Sequence, residues 1–138
     1  MVNVLISTDS RYPVNRKQIR KAVVDTFTKH EISDSTAEVS VAVVGERKMK
    51  KLTEIYLGDG KKHEILTFPF EEVSTRRDRA MPAGRQGFVY PPDGVLRLGD
   101  IILCWPYVLE AAAADDIMVD DEVYSLTVHG AEHLLGTN

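Results

Sequence analysis

Hydrophobic residues alternate with other residues in two stretches of the chain, residues 2–6 and 39–43. Alternation is the period of a strand with one buried face, so both stretches are predicted to be β-strands. Residues 64–68 predict a third strand, which Pro69 should end because proline cannot donate to a strand ladder. The apolar run at residues 101–103 predicts the end of a fourth strand.

Apolar residues spaced four positions apart predict a helix after the first strand. Ile19, Val23 and Phe27 would form its buried stripe, since this spacing places side chains on one helical face. Asn15 can accept hydrogen bonds from the free N–H groups at its start, and Gln18 stands where a capping box has its second member. We therefore expect this helix to begin near Asn15.

A second helix is predicted at residues 47–57. Met49, Leu52 and Tyr56 recur at three- and four-residue spacing and are expected to point inward.

Two more helices are predicted in the last third of the chain. Pro106 suits the first turn of one of them. The final helix should be capped by Asp120 or Asp121 and should run to Leu135, where Gly136 can adopt the left-handed conformation that ends helices. Strands and helices in mixed order indicate an α+β fold, with a four-stranded sheet packed against about four helices.

Residues 71–96 break both periodicities. Prolines and glycines are frequent here, and long irregular segments in compact domains are usually functional or disordered. We predict one long mobile loop within a single domain that spans residues 1–138. The loop contains four arginines, namely Arg76, Arg77, Arg79 and Arg85.

Composition narrows the class of protein. With 138 residues and 43% apolar residues, the chain can build one globular core. Its one cysteine, Cys104, excludes an internal disulfide and is expected to lie in the core. The sequence shows neither an apolar run long enough for a membrane span nor a secretory signal pattern, so we expect a cytoplasmic protein without a membrane partner.

Charge is unevenly distributed along the chain. The net charge of -4 does not indicate a nucleic-acid binder. However, residues 46–62 and 76–97 each carry an excess of three positive charges, whereas residues 110–132 carry seven acids and no Lys or Arg. The basic middle of the chain is either a surface for phosphates or a set of ordinary solvated faces.

A histidine pair in the final helix is the main candidate for chemistry. His129 and His133 are four residues apart, so their side chains share one helical face and can coordinate one zinc ion. The alternative is two polar residues near a helix end. Gly130 and Ala131 are expected to clear the surface beside the histidines, and Gly136 would let the chain turn a third ligand toward the metal. A metalloprotease would have its general base at position 130, where glycine stands.

Three segments of this sequence resemble the YbeY family. Residues 127–136, TVHGAEHLLG, resemble its C-terminal signature, His-Gly-x-x-His-Leu-x-Gly followed by two residues and a third His. Residues 98–102 resemble its Leu-Gly-Asp-Ile strand, and residues 65–69 resemble its Val-Leu-Ser-Phe-Pro segment. The spacing of the three segments fits apart from an enlarged loop before Leu98, so the resemblance covers essentially the whole chain.

The resemblance implies a zinc site. In the family three histidines hold zinc, and His129 and His133 match the first two positions. The third would fall one position beyond Asn138. We therefore expect either weak, easily chelated zinc, or a site that is completed by the Asn138 carboxylate, by water or by a neighbouring chain. Asp100 matches a family position and would orient a ligand as a hydrogen-bond acceptor, or would bond local backbone instead. Glu132 is expected to be a solvated acid.

The resemblance also implies a substrate, single-stranded ribosomal RNA. The family's arginine after an aromatic residue is missing here, since Leu57 follows Tyr56. Lys61 and Lys62 stand nearby and can substitute for it, although lysine lacks the bidentate fork of arginine. Together with the four loop arginines, they are the predicted RNA contacts.

These observations predict a zinc-dependent single-strand endoribonuclease in ribosomal RNA maturation and small-subunit assembly, with small ribosomal subunit proteins as partners. A non-catalytic assembly factor with a structural zinc is the alternative. A metalloprotease-like hydrolase is disfavoured by Gly130.

Overall fold

A computed structural model describes residues 2–30, 36–69 and 96–136, and its elements alternate between strands and helices. In chain order they are β1 (Val2–Thr8), α1 (Arg16–Lys29), β2 (Ala37–Val44), α2 (Glu46–Tyr56), β3 (Ile65–Pro69), β4 (Leu96–Cys104), α3 (Trp105–Asp115) and α4 (Val119–Leu134). The predicted α+β fold, with a four-stranded sheet and four helices in the described residues, is confirmed.

The sheet has the strand order β1-β2-β4-β3. β1, β2 and β4 are parallel, whereas β3 is an antiparallel edge strand on β4, with Thr67 opposite Ile101 and Phe68 opposite Asp100. Pro69 is the last residue of β3, at an edge position where a missing N–H is tolerated.

The larger core lies between one face of the sheet and the helices α1 and α4. The predicted stripe of α1, which is Ile19, Val23 and Phe27, is completely buried there. Val41 of β2 and Ile101 of β4 meet it from the sheet. Burial of apolar surface of this kind is the dominant stabilising contribution to folding.

A smaller core lies on the opposite face of the sheet, under α2. Met49 is buried there, as predicted, but Tyr56 is 61% exposed, so the prediction that it points inward is wrong. Thr53 is the second buried residue of α2, and its hydroxyl donates to the Met49 carbonyl. The last turn of α2 lies over edge strand β3, where Tyr56 packs edge-on against Phe68 with 4.9 Å between ring centroids.

The first turns of α1 and α4 are joined by hydrogen bonds. Asn15 caps α1 by accepting from the Lys17 N–H, as predicted, but Gln18 does not complete a capping box. Its side chain instead donates to the Asp120 carbonyl at 3.3 Å, and the Asn15 amide donates to the Asp120 carboxylate at 3.0 Å. The predicted aspartate cap of α4 is therefore wrong, since Met118 occupies the cap position and this carboxylate bonds α1 instead.

Candidate metal centre

Helix α4 carries both histidines of the predicted metal site. His129 and His133 are one turn apart on α4, and both residues are exposed to solvent. Because residues four apart share a helical face, the two imidazoles are neighbours on its outer surface. The pair is therefore accessible to an ion and to a large substrate.

The inner side of α4 is formed by small residues. Gly130 and Ala131 are buried, and a Cβ atom added to Gly130 would lie 2.9 Å from Cδ1 of Ile65 and 3.2 Å from Cγ2 of Ile101. Successive residues of a helix point in different directions, so these two face the sheet while the histidines face outward. The prediction that they clear the surface beside the histidines is wrong; they allow α4 to lie close to the sheet.

This close approach brings one histidine to edge strand β3. The hydroxyl oxygen of Thr67 lies 2.5 Å from Nδ1 of His133, within hydrogen-bond distance. With Nδ1 engaged in this way, Nε2 is the ring nitrogen that remains for a metal. Thr67 was not among the residues predicted from the sequence, although it stands in the segment that resembles the family's Val-Leu-Ser-Phe-Pro and matches its hydroxyl residue.

The end of α4 contacts α1 through the Glu132 side chain. The Glu132 carboxylate lies 3.4 Å from Nζ of Lys29 and 3.5 Å from Nε2 of His30, and its side chain is 24% exposed. His30 and then Lys29 lower the pKa of Glu132. Glu132 is thus a partly exposed acid, in line with the prediction, and it pairs with α1. These contacts support the helix turn that carries His133.

The donors that the structure describes suit a zinc ion. Two solvent-accessible imidazoles lie one turn apart, and the ring of one is in hydrogen-bond contact with a hydroxyl. In residues 2–30, 36–69 and 96–136, no group of three or more His, Cys, Asp or Glu side chains is placed to hold an ion. Asn138, the predicted further ligand, lies outside these residues.

The comparison with known families supports the resemblance inferred from the three segments. The family described as endoribonuclease YbeY matches residues 5–138. The chain belongs to the YbeY family. Its YbeY relatives include one from Leptospira interrogans, 31% identical over 108 residues that cover 77% of this chain and 74% of the relative. Another, from Dehalococcoides mccartyi, is 27% identical over 98% of this chain and 76% of the relative. Both are named endoribonuclease YbeY.

A solved structure shows the same fold. The solution structure of a Thermotoga maritima protein matches 97% of this chain and 71% of its own, with a TM-score of 0.54 and 21% identity.

Asp100, another position shared with the YbeY signature, points away from α4. Its neighbour Ile101 faces α4, and successive strand residues point to opposite faces of a sheet. Asp100 therefore lies on the α2 side, in register with Ser40 and Phe68. Burial raises its pKa. The structure does not bring Asp100 to the histidines, and a role for it in orienting the site stays a prediction.

The two lysines predicted to bind RNA also lie on the α2 side. Lys61 and Lys62 line a cavity of about 470 Å³ together with Met49 and Tyr107, which belong to the smaller core. The Lys62 ammonium is 2.6 Å from the Glu110 carboxylate, and this hydrogen bond raises the pKa of Lys62. An RNA phosphate would have to compete with Glu110 for Lys62.

Position 57, where the YbeY pattern has arginine, lies at the end of α2. Leu57 is 50% exposed and directly follows Tyr56, which packs on Phe68. Phe68 is next to Thr67, the partner of His133. Phe68 and Thr67 are adjacent in β3 and therefore point to opposite faces of the sheet, so this contact places the end of α2 beside β3 on the face opposite His133.

The remaining predicted RNA contacts lie outside the described residues, as does the predicted loop except for Leu96, which begins β4. These contacts are Arg76, Arg77, Arg79 and Arg85. In the described part of the chain, no helix combines the length and the hydrophobicity needed to cross a bilayer.

Proposed function

We propose that this protein is a zinc-dependent endoribonuclease that cleaves single-stranded RNA in ribosomal RNA maturation and small-subunit assembly. Its protein partners would be proteins of the small ribosomal subunit. One observation supports this above all. In a chain of the YbeY family, His129 and His133 stand together on the exposed face of α4, and His133 is oriented by Thr67. The relatives of this chain are named endoribonucleases.

The geometry of α4 indicates which residues would hold the ion. His133 would bind the ion through Nε2, and His129 would bind it from one turn earlier on the same face. Zinc, when bound, lowers the pKa of a coordinated water toward about 7 or polarises a phosphate oxygen. Gly130 holds α4 against β3, and so it keeps the histidine pair at the sheet edge.

Two surfaces could hold single-stranded RNA. Tyr56 offers an exposed aromatic ring beside Phe68 at the end of β3, and unpaired bases stack on such rings. Helix α2 also carries positive charge that can meet phosphates. Its basic residues are Arg47, Lys48, Lys50 and Lys51.

A non-catalytic assembly factor with a structural zinc is the second candidate. The observation that favours it is Leu57, an exposed apolar residue where the family pattern has arginine. An arginine fork binds phosphate in a bidentate manner, and leucine cannot replace it. The metalloprotease reading finds no support here, since position 130 faces the sheet.

Zinc content and RNA cleavage, measured on the same preparations, test the proposal. The wild-type protein, purified in the presence of zinc, is compared with His129→Ala and His133→Ala. His63→Ala is the control for zinc content, because His63 pairs with Asp59 and lines the cavity beside α2. Each preparation is incubated with an end-labelled single-stranded ribosomal RNA fragment and, separately, with an unfolded protein.

We expect wild type and His63→Ala to bind zinc, and His129→Ala and His133→Ala to bind much less. RNA should be cleaved only by the proteins that bind zinc. Bound zinc without cleavage would favour the assembly factor. Equal zinc content in all four proteins would refute the metal site. Degradation of the unfolded protein would favour a protease.

A further inference from the structure

We propose that Thr67 is a positioning residue for the metal centre: its hydroxyl accepts the Nδ1 proton of His133 and thereby leaves the Nε2 lone pair for the ion. The inference deepens the proposed function and rests on it for the identity of the ion. The hydrogen bond itself is a property of the metal-free protein and can be tested there.

The proposal follows from the two ways in which the contact can be made. A neutral imidazole has one N–H donor and one acceptor nitrogen, and a threonine hydroxyl can serve as donor or acceptor. If Nδ1 donates to Thr67, Nε2 of His133 is unprotonated and can bind a metal. If the hydroxyl donates to Nδ1, Nε2 carries the proton and cannot. Metal-binding histidines almost always donate their other N–H to a carboxylate, a backbone carbonyl or water, and in the first arrangement the Thr67 hydroxyl would take the place of that acceptor.

The sheet fixes the place of the hydroxyl. Thr67 pairs with Ile101 of β4, so the register of the edge strand sets its position along the sheet. Leu66 points into the smaller core, and alternation therefore directs Thr67 to the α4 side together with Ile65. A β-branched side chain has restricted χ1 freedom, so the hydroxyl is largely preorganised.

The helix fixes the ring. Gly130 precedes His133 by three residues, and an added Cβ at Gly130 would lie 2.9 Å from the Ile65 Cδ1. This turn of α4 therefore lies directly against β3. The imidazole is thus ordered before the ion arrives, and less side-chain entropy is lost on binding. Loss of such an outer hydrogen-bond partner typically weakens metal binding by about 10- to 100-fold.

Three variants isolate the hydroxyl. Thr67→Val removes it while keeping β-branching and nearly the same volume, and Thr67→Ser keeps it. Thr8→Val is the matched control, because the Thr8 hydroxyl donates to the carbonyl of the next residue, Asp9, at the end of β1. Thermal unfolding of the metal-free proteins checks that all three variants are folded.

Two measurements are made on each protein. Zinc affinity is obtained by competition with a chromophoric chelator, and the protonated ring nitrogen of His133 is identified by ¹⁵N–¹H correlation spectra of metal-free protein at a pH where the ring is neutral. We expect Nδ1–H in wild type and Thr67→Ser. In Thr67→Val we expect a shift toward Nε2–H and zinc binding about 10- to 100-fold weaker.

The outcomes separate this proposal from the proposed function. An Nε2–H ring in wild type, or equal zinc affinity and an equal tautomer in Thr67→Val, would overturn the role of Thr67. If wild type bound no zinc while Thr67→Val still changed the tautomer, the zinc enzyme would be refuted and the positioning of the ring by Thr67 would stand. A similar loss of affinity in Thr8→Val would show a general effect of the substitution and would count against the proposal.

Discussion

Gly130 of α4 lies against Ile65 of β3 so closely that a Cβ atom at position 130 would be 2.9 Å from the Ile65 Cδ1. This approach sets the distance between helix and sheet at the turn that carries His133. Substitutions here should therefore affect stability and metal binding together.

Gly130→Ala should test this relationship. Alanine in a helix interior is more favourable than glycine by about 1 kcal/mol, but overpacking costs about 1–3 kcal/mol. We expect the free energy of unfolding to fall by up to about 2 kcal/mol and zinc binding to weaken as His133 moves away from Thr67. Urea unfolding and chelator competition measure both effects, with Ser125→Ala on the exposed side of α4 as control. A stabilised variant with unchanged zinc affinity would contradict this account.

Gly99→Ala should be more damaging, for two reasons. The φ angle of Gly99 is +145°, which side chains rarely adopt, and an added Cβ would collide with the Phe68 carbonyl oxygen. We expect a loss of about 3 kcal/mol or more in the free energy of unfolding. Gly60→Ala is the control, since its φ is +67° but its surroundings are open, and it should cost only about 1–2 kcal/mol. Equal losses in the two variants would show that the collision is unimportant.

Asp100→Asn should stabilise the protein at neutral pH. Burial raises the pKa of Asp100 above its ordinary value of 3.8, so the folded state disfavours the ionised form. Stability is therefore lost as pH rises from the unfolded-state pKa through the folded-state pKa. The advantage of Asn should be absent at lower pH and complete above that window, as thermal unfolding at several pH values would show. Zinc affinity should not change, because Asp100 faces away from α4; a marked loss would support the predicted role in orienting the metal site.

Tyr56→Ala should weaken binding of single-stranded RNA. Stacking of one base on an aromatic ring contributes about 1–3 kcal/mol, which corresponds to a loss of about 5- to 150-fold in affinity. Tyr56→Phe should retain affinity, and Ile55→Ala, an equally exposed neighbour without an aromatic ring, is the control. Fluorescence anisotropy with a labelled oligonucleotide measures the dissociation constants. Equal losses for Tyr56→Ala and Ile55→Ala would rule out stacking at position 56.

Leu57→Arg should strengthen RNA binding. The position is half exposed, so the substitution costs little burial, and the new guanidinium would directly follow Tyr56, the proposed stacking residue, in the chain. One added phosphate contact should steepen the slope of log affinity against log salt by about 0.7 for a single strand. Ile55→Arg adds the same charge at another exposed position of α2 and serves as the comparison. If both arginines steepen the slope equally, the effect is general attraction rather than a contact specific to position 57.

Much of the local structure follows from the sequence alone. The period of apolar residues correctly predicted β1, β2 and the buried stripe of α1, because a strand or helix with one buried face needs that period whatever it packs against. The pairing of His129 with His133 was predictable for the same reason, since it depends only on the helical repeat within one segment. The cap at Asn15 likewise involves atoms two residues apart.

Contacts between distant segments were decided by the tertiary structure. Thr67 meets His133 across 66 positions of sequence, and this contact depends on how closely Gly130 lets α4 approach β3. The same holds for Asp120, whose carboxylate bonds Asn15 rather than capping its own helix. A helical or strand period states which residues share a face, but it does not state what that face meets. The direction of each polar side chain is chosen by the partner that packing brings within hydrogen-bond distance.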